Sequence, residues 1–590
     1  MAPVRSFIEP LVEKWLQLDP NPITRADIKT LWDSGDLEEL DRRMSQHIQF
    51  GTAGLRGKME AGWARMNDLI IIQTAQGLAE YVLQNVQHAL ELGLVVGYDH
   101  RHNSKHWAEL TAQVFAEKGF KIYFLNGFNH TPMVPFSITE MNAACGVMIT
   151  ASHNPKDDNG FKVYWKNGVQ IIAPHDQGIA AMIQMHQVPM FKLKNNQILS
   201  SCIDITKSLQ ADYIQYLKSL IACPEPIQNA ITYVNTSMHG VSDAILSRAF
   251  ESIGYPLYIP VKEQQKPDPT FATVSFPNPE EKGALRMALN IANQVEASYI
   301  LAQDPDADRF CAAEKLNTGI WKIFTGDQLG IIFASQAISN YLQSGNNTTK
   351  AALISSTVSS KMLSHIAKLE GLEYQECLTG FKFIGNTALK LEESGYNVIF
   401  GYEEAIGYMF GNKIRDKDGI AATLHFVKLV YDLCKQNKTV SMYLDELYEK
   451  YGYFETYNGY FKCDKSTIIE EIFYSIRHQS KSQTYPTSLG GFQIYRIIDL
   501  TTGYDSGSPP LFKPTLPLSS GHMIQIMGKQ LDSSNTFFLT LRTSGTEPKI
   551  KFYLEGSGSK KADISKFLRI VVDDLAENWI QASFYSLELC

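Results

Sequence analysis

The chain has no closely spaced cysteines, no membrane-length apolar run and no excess of positive charge. Its eight cysteines occur in 590 residues without any Cys-x-x-Cys pair, so we expect neither a zinc knuckle nor a disulfide framework. Asp and Glu (62) outnumber Lys and Arg (54), and the net charge of −8 argues against nucleic-acid binding. Because no signal peptide or membrane-spanning stretch is evident, we expect a cytoplasmic protein without a membrane partner.

The length and the strand–helix pattern predict several α/β domains. A chain of 590 residues is too long for one hydrophobic core. Apolar strand patterns alternate with amphipathic helix patterns, which predicts βαβ units with largely parallel strands. The expected helices cover residues 69–91, 104–118, 205–221, 242–253, 285–296, 327–343 and 359–369. The expected strands cover residues 94–98, 121–125, 146–150, 231–235, 257–259, 298–302, 351–355, 374–378 and 397–400.

Both ends of the chain differ from this pattern. Residues 1–45 form a polar, helix-prone preface, and from residue 452 aromatic, Gly-rich and Pro-rich segments indicate a separate α+β module. We therefore predict an α/β protein with three similar mixed-sheet domains and one different carboxy-terminal domain. The expected boundaries are 1–204, 205–322, 323–451 and 452–590.

A serine follows one of the predicted strands on a tight polar turn. Residues 150–155 (TASHNP) come directly after the apolar run 146–149, and residues 159–162 (NGFK) follow closely. A strand end of this kind presents a side chain in the crevice where open α/β sheets bind ligands. No imidazole–carboxylate relay is legible around Ser152, so a protease-like site is not indicated. A serine that carries a phosphoryl group needs instead a divalent cation and several cationic groups.

An acidic loop follows another predicted strand. Residues 304–309 (DPDADR) place three carboxylates at alternate positions, which suits the hard oxygen ligands of Mg²⁺ or Ca²⁺. An EF-hand would need Gly and Glu where the chain has Arg309 and Lys315, so that interpretation fails. A lone motif of this kind is as often a solvated acidic turn. Beside a phosphorylated Ser152, which would supply a further oxygen, a Mg²⁺ site is favoured.

Three further loops carry polar groups, and each has an ordinary alternative. Residues 51–57 (GTAGLRG) lack the ending of a nucleotide P-loop, and a structural glycine turn is the commoner explanation of them. Residues 542–548 (RTSGTEP) are typical of an anion nest with an arginine clamp, or of a plain turn. Residues 401–408 (GYEEAIGY) place paired carboxylates after a strand, either as a helix start or to accept hydrogen bonds from sugar hydroxyls.

Taken in order, these motifs resemble those of the α-D-phosphohexomutase superfamily. GTAGLRG, TASHNP with NGFKVYW, DPDADR, GYEEAIGY and RTSGTEPKIKFY follow one another across nearly the whole chain. The resemblance implies four domains around a central cleft and a phosphoserine enzyme that isomerises 1-phosphosugars through a bisphosphate intermediate. It also implies one Mg²⁺ per chain, a sugar bisphosphate as activator, and phosphosugars as the partners of a monomer or weak dimer.

The family's functional residues are carried over by matching motif positions. Ser152 is implied as the phosphoryl carrier, Arg56 and His153 as supports of phosphoryl transfer, and Lys162 as the candidate acid/base. The implied metal ligands are Asp304, Asp306, Asp308 and the phosphate on Ser152. The groups implied to bind the substrate, at the sugar or its phosphate, are Arg56, Ser152, Arg309, Thr379, Glu403 and Lys417. Those implied to hold the non-reacting phosphate are Arg542, Ser544, Gly545 and Thr546.

One departure bears on the substrate. Many glucose- and mannose-directed members have a serine after the paired glutamates, where this chain has Ala405, so a hydrogen bond to a hexose ring is missing. Residues 233–240 and the long preface resemble the eukaryotic phosphoglucomutase-2 branch, which includes phosphopentomutases. We therefore expect ribose or deoxyribose 1-phosphate as the preferred substrate and glucose 1-phosphate as a slower one. Alternatives are a phosphoglucomutase proper, a glucose 1,6-bisphosphate synthase or a non-catalytic sugar-phosphate-binding protein.

Overall fold

The computed structural model describes residues 2–51, 54–190, 201–221, 231–463, 465–479, 485–531, 533–544 and 549–590. The chain divides into two compact units. One unit comprises Met1–Leu329 with Phe381–Asn437, and the other comprises Gly330–Gly380 with Lys438–Cys590. Among the described residues, no helix combines the length and the apolar character that a membrane crossing needs.

The preface is helical and belongs to the core of the first unit. Its three helices are α1 (Ala2–Leu18), α2 (Pro22–Ser34) and α3 (Leu37–Met44). Trp15 of α1 is fully buried and lies edge-on to Trp63, with 5.0 Å between the ring centroids. The Asn21 side chain accepts a hydrogen bond at the start of α2 and donates another to Asp68 Oδ2 at 2.8 Å. The helix-prone preface is thus confirmed, and its apolar side packs on the α/β layers that follow.

The first sheet is mixed. Its strands, in the order β1-β5-β4-β2-β3-β6, are β1 (Leu55–Lys58), β5 (Asp158–Trp165), β4 (Cys145–Ile149), β2 (Leu94–Tyr98), β3 (Ile122–Phe124) and β6 (Ile203–Asp204). Parallel pairing joins β4, β2, β3 and β6, whereas β5 and β1 run antiparallel at one edge. The associated helices are α4 (Asp68–Asn85), α5 (Ala89–Leu92), α6 (Ser104–Glu117), α7 (Met133–Met141) and α8 (His175–Met185).

One predicted helix of this region is wrong as a single element. The expected helix 69–91 is divided into α4 and α5. His88 lies between them with a φ of 58°, in the left-handed region that a continuous right-handed helix excludes.

The second sheet repeats the mixed arrangement. Its strands, in the order β11-β10-β9-β7-β8, are β11 (Trp321–Ile323), β10 (Phe310–Lys315), β9 (Tyr299–Gln303), β7 (Tyr233–Thr236) and β8 (Ile259–Pro260). Strands β7, β8 and β9 are parallel, and β10 pairs antiparallel with β9 and β11. The helices of this region are α9 (Thr206–Leu220), α10 (Ser242–Ile253), α11 (Lys262–Gln265) and α12 (Arg286–Gln294).

The next segment contributes to both units. In the second unit, β12 (Ala351–Ser356) pairs in parallel with β13 (Glu373–Cys377). In the first unit, β14 (Asn397–Glu403) and β15 (Gly407–Phe410) form an antiparallel hairpin. The helices of this segment are α13 (Gly326–Gln343), α14 (Met362–Glu370), α15 (Phe381–Glu393), α16 (Gly419–Cys434) and α17 (Val440–Tyr451).

The carboxy-terminal region is an antiparallel sheet with helices, as the change of sequence texture predicted. Its strands are β16 (Tyr453–Lys462), β17 (Ser488–Leu489), β18 (Phe492–Asp499), β19 (Tyr504–Asp505), β20 (Met523–Lys529), β21 (Thr536–Thr543) and β22 (Lys549–Gly558). The order is β16-β22-β21-β20-β18-β17, with β19 paired to β18. The helices are α18 (Ser466–Arg477), α19 (Lys561–Asp574) and α20 (Ala582–Tyr585). Buried side chains such as Leu539, Phe552 and Val571 form its core.

Candidate active site

Ser152 lies on a tight turn at the carboxyl end of β4, as the sequence predicted. Its φ is 54°, a left-handed conformation that few residues other than glycine adopt. The backbone N–H of Ser152 donates to Thr150 Oγ1 at 2.9 Å, which helps to hold the turn. The hydroxyl is buried and donates to Asp304 Oδ2 at 2.9 Å, across 152 residues of sequence. The structure therefore brings the serine turn and the acidic loop together.

The acidic loop connects the antiparallel strands β9 and β10. Asp304, Asp306 and Asp308 are almost wholly buried, and one carboxylate oxygen from each lies within 4.8 Å of the others. Gly240 permits this placement, because a Cβ at that position would overlap the backbone of Pro305. Burying three carboxylates together is costly unless cations or a metal ion compensate them.

Three cationic side chains surround these carboxylates. Lys162 Nζ, on β5, lies 2.7 Å from Asp306 Oδ2 and 3.2 Å from Asp308 Oδ2. Lys417 Nζ lies 3.2 Å from Asp308 Oδ2. Arg309 Nε lies 3.8 Å from Asp308 Oδ1. Three negative side chains thus meet three positive ones in a buried cluster.

The ionisation of this cluster is set by burial and by the opposing charges. Burial, together with Asp306 and Asp308, raises the pKa of Asp304 well above its usual range. Burial acts in the same direction on Asp306, but the Lys162 ammonium holds the pKa of Asp306 well below its usual range. Burial alone would lower the pKa of Lys162, yet Asp306 and Asp308 raise it overall, so this ammonium keeps its proton.

The acidic loop fits a hard divalent cation. Within the described part of the chain, no donor makes a hydrogen bond to Asp306 Oδ1 or Asp308 Oδ1, although both atoms are buried. Carboxylate oxygens that accept no hydrogen bond are available as the hard oxygen ligands that Mg²⁺ prefers. The Ser152 hydroxyl lies 2.9 Å from Asp304 Oδ2 and places a further oxygen beside the three carboxylates.

Arg56 and His153 flank the serine turn. Arg56 Nη1 donates to Asn154 Oδ1 at 3.1 Å, from strand β1 next to β5. His153 Nδ1 lies 3.4 Å from Ser152 Oγ, at the limit of a hydrogen bond. Burial, with the positive charges of Arg309 and Arg56, lowers the pKa of His153 well below its usual range, so its imidazole is neutral. Residues 52 and 53 of the GTAGLRG motif lie outside the described residues.

The paired glutamates lie on the hairpin of β14 and β15, so their interpretation as a possible helix start is wrong. Glu403 is the last residue of β14, and burial raises its pKa to about 7 although Lys417 and Arg309 act against this. Arg309 Nη1 donates to the Ala405 carbonyl at 3.2 Å, which links the hairpin to the acidic loop. Gly326 lies against this hairpin, where a Cβ would overlap the carbonyl oxygen of Glu404.

The other predicted residues belong to the second unit. Thr379 follows β13, and among the described residues its buried hydroxyl oxygen has no hydrogen-bond partner. Arg542, near the end of β21, donates from Nη2 to the Tyr553 hydroxyl at 3.0 Å. The Ser544 N–H donates to the Lys549 carbonyl at 3.0 Å. Gly545 and Thr546 lie outside the described residues.

The sequence analysis missed two residues that shape this site. Arg101 lies three residues beyond β2 and donates to backbone carbonyls of the serine turn. Thr131 follows β3, and its hydroxyl donates to Asp306 Oδ2 at 2.6 Å. Both come shortly after the carboxyl ends of parallel strands, which is the signal by which Ser152 itself was found.

Comparison with known proteins identifies similar sequences along nearly the whole chain. Family models described as phosphoglucomutase/phosphomannomutase alpha/beta/alpha domains I, II and III match residues 47–188, 211–317 and 325–451. A phosphoribomutase from Saccharomyces cerevisiae is 39% identical over 98% of this chain and 97% of its own length. A glucose 1,6-bisphosphate synthase from Homo sapiens is 37% identical, over 98% of this chain and 95% of its own length.

A solved structure shares the fold. The open form of parafusin, a phosphoglucomutase from Paramecium, matches with a TM-score of 0.64 and 18% identity. The match covers 90% of this chain and 95% of that one.

Proposed function

Because the chain belongs to the phosphoglucomutase/phosphomannomutase family, we propose that it is a mutase that interconverts the 1-phosphate and 5-phosphate of ribose or deoxyribose. Glucose 1-phosphate is proposed as a slower substrate of the same site. The observation that carries the proposal is the 2.9 Å contact between Ser152 Oγ and Asp304 Oδ2. It places a hydroxyl that can carry a phosphoryl group beside three buried carboxylates and three cations.

In the proposed reaction, the resting enzyme carries a phosphoryl group on Ser152. The 5-hydroxyl of ribose 1-phosphate attacks the phosphorus, the bond from phosphorus to Ser152 Oγ breaks, and ribose 1,5-bisphosphate forms. We assign the proton exchange to Lys162, whose ammonium gives its proton to the serine oxygen as that bond breaks and then regains one from the attacking hydroxyl. The bisphosphate then reorients, Ser152 Oγ attacks the phosphorus of the 1-phosphate, and the bond from that phosphorus to O1 of ribose breaks. The serine proton passes by way of Lys162 to O1, and ribose 5-phosphate leaves. A free bisphosphate can phosphorylate Ser152 in the same way, which makes it the proposed activator.

The residues proposed to act on the phosphoryl group surround Ser152. Asp304, Asp306 and Asp308 would hold Mg²⁺ together with a phosphate oxygen on Ser152. The buried Oδ1 atoms of Asp306 and Asp308, which accept no hydrogen bond from the described residues, support this assignment. The bound ion would supply positive charge to the phosphoryl oxygens. Arg56 supplies a further cation beside the turn, and such preorganised charges provide most of the acceleration in phosphoryl transfer.

The sugar and its second phosphate require other groups. Glu403 can accept hydrogen bonds from sugar hydroxyls, while Arg309, Lys417 and Thr379 donate to the sugar or its phosphate. Arg542 and Ser544, with Gly545 and Thr546, are proposed to bind the phosphate that does not react. We also propose the domain boundaries 1–204, 205–322, 323–451 and 452–590, so that each domain supplies one of the motif loops.

The pentose preference is proposed on two grounds. The chain resembles a phosphoribomutase over almost its full length. It also has Ala405 directly after the paired glutamates, so no side-chain hydroxyl is available there for a hexose. Because a site without this hydrogen-bonding group binds a hexose less selectively, the preference for a hexose over a pentose is reduced.

A second candidate function is synthesis of glucose 1,6-bisphosphate from a high-energy phosphate donor. The 37% identity to a glucose 1,6-bisphosphate synthase favours keeping it, because both reactions would use the same phosphoserine. A non-catalytic binding protein is disfavoured, since Ser152, the three aspartates and Arg542 are all present.

Steady-state kinetics would test the proposal. With a sugar bisphosphate supplied, we expect kcat/KM to be higher for ribose 1-phosphate than for glucose 1-phosphate. We expect Ser152→Ala to abolish turnover and to lose the covalent phosphate detectable by intact-protein mass spectrometry, whereas Ser34→Ala, at an exposed serine of α2, retains both. Mutase activity in Ser152→Ala above a trace would contradict the phosphoserine assignment. Bisphosphate accumulation from 1,3-bisphosphoglycerate, without mutase turnover, would favour the synthase instead.

A further inference from the structure

The guanidinium of Arg101 contacts the backbone of the serine turn. The side chain is fully buried, and its two terminal nitrogens donate to four backbone carbonyls of one short segment. Nη2 donates to the carbonyls of Ser152 and Asn154, each at 2.6 Å. Nη1 donates to the carbonyls of Pro155 at 2.8 Å and Asp158 at 3.1 Å. One planar group thus binds the backbone of residues 152–158, while the Ser152 hydroxyl donates to Asp304.

Arg101 is itself fixed from two sides. Asp99 Oδ1 accepts from the Arg101 backbone N–H at 2.9 Å, and Asp99 Oδ2 lies 3.5 Å from Arg101 Nε. The ring of Phe271, from the loop after α11, covers the guanidinium with its centroid 4.9 Å away. A cation over an aromatic face is stabilised when both groups are shielded from water. The donor that holds the serine turn is therefore held in place itself.

The turn needs such a partner because its conformation is unfavourable by itself. Ser152 has a φ of 54°, which costs energy for a residue with a Cβ. Its carbonyl and those of Asn154, Pro155 and Asp158 converge on one point, where their negative ends repel each other without a donor. A guanidinium offers five N–H groups in one plane, while an ammonium offers three from a single atom. Lysine cannot reproduce four contacts from two nitrogens.

We propose that Arg101 is a positioning residue for phosphoryl transfer. It fixes the serine turn in the one conformation that directs Ser152 Oγ to Asp304, and it does so without touching the sugar or its phosphates. The inference rests on the proposed function of Ser152, but the claim that Arg101 fixes the conformation of the turn can be tested without catalysis. Loss of Arg101 then lowers kcat, because the reacting oxygen is misplaced, and leaves KM for the sugar phosphate little changed.

The test compares Arg101→Lys and Arg101→Ala with the same changes at Arg248, an exposed arginine of α10. For Arg101→Lys we expect kcat for ribose 1-phosphate to fall about 100-fold, as for a misplacement of about 1 Å. Millimolar guanidinium should partly restore kcat in Arg101→Ala and should not restore it in Ser152→Ala. The Arg248 variants should keep the parent kcat. Equal kcat in Arg101→Lys and the parent would overturn the proposal, as would a rise in KM alone.

Hydrogen exchange gives a readout that needs no catalysis. Amides of residues 152–158 should exchange faster in Arg101→Lys than in the parent, while those of β2 remain protected. If the parent has no mutase activity but exchange at the turn is faster in Arg101→Lys, Arg101 still holds the turn, and the proposed function fails. If the Arg101 variants do not fold, Phe271→Leu decides, because it keeps the arginine and removes the ring over it. Faster exchange at the turn with lower kcat supports the proposal, and no change in either refutes it.

Discussion

Replacement of Trp15 by alanine measures how far the helical preface belongs to the core of the first unit. Trp15 is 0% exposed and lies edge-on to Trp63 at 5.0 Å. A tryptophan buries about 200 Å² of surface, so at about 25 cal/mol per Å² its removal costs at most about 5 kcal/mol. Large-to-small changes of buried aromatics in other proteins cost about 3–5 kcal/mol, which agrees with this figure. A loss of that size is comparable with the whole stability of many domains.

The assay is urea unfolding followed by tryptophan fluorescence and by far-UV circular dichroism. The matched control is Phe7→Ala, because Phe7 lies on the same helix and is 57% exposed. We expect the Phe7 variant to lose less than about 0.5 kcal/mol. Among the described residues, no acceptor reaches the buried Trp15 Nε1, so Trp15→Phe should cost much less than Trp15→Ala. If Trp15→Ala and Phe7→Ala lowered the free energy of unfolding equally, the preface would not belong to the core of the first unit, and the reasoning would be wrong.

Three further predictions concern the metal, the pH and the sugar. Chelation of divalent cations should abolish mutase activity, and added Mg²⁺ should restore it. In thermal unfolding, Mg²⁺ at about 100 times its Kd should stabilise the parent by about 2.7 kcal/mol and should not stabilise Asp306→Asn. Equal stabilisation of Asp306→Asn by Mg²⁺ would contradict the proposed metal site. The hydrogen bond to Asp68 raises the pKa of His106, against the effect of burial, so the stability from this pair is present below about pH 6.5 and is lost as pH rises through the raised pKa. His106→Gln should therefore weaken the dependence of the urea unfolding midpoint on pH between acidic and mildly alkaline pH. The same pH dependence in His106→Gln and the parent would refute this, and His102→Gln, at an exposed histidine, is the control. Ala405→Ser should raise kcat/KM for glucose 1-phosphate relative to ribose 1-phosphate about 10-fold, and a fall in that ratio would contradict the proposed role of the missing hydroxyl.

The local signals in the sequence predicted elements that are built from neighbouring residues. Helices 242–253 and 327–343 are present within one residue of the expected bounds, because each forms from its own backbone hydrogen bonds. The antiparallel strands β5 and β10 were not predicted as strands. Each directly follows a motif loop and pairs antiparallel with the strand before it, and the residues of β5 were interpreted as part of the NGFKVYW motif.

The site was predictable where its chemistry is local and not where it depends on the fold. Ser152 and the three aspartates were found because each motif lies at a strand end. The role of Arg101 was not predictable, because its acceptors are backbone carbonyls about fifty residues away that carry no side-chain signature. The turn of the GYEEAIGY hairpin was missed for a similar reason. Ile406 there has a φ of 51°, and a β-branched residue gives no hint of a left-handed turn.

Gly240 and Gly326 extend the functional surface of this protein beyond the residues that could meet a ligand. A side chain at Gly240 would collide with the backbone of Pro305 in the acidic loop, and one at Gly326 with the carbonyl of Glu404 in the hairpin. An inherited change to alanine at either position would thus act as an active-site lesion, although the altered residue never meets the sugar. Surveys of natural variants that score only the ligand-facing side chains would classify both substitutions as benign.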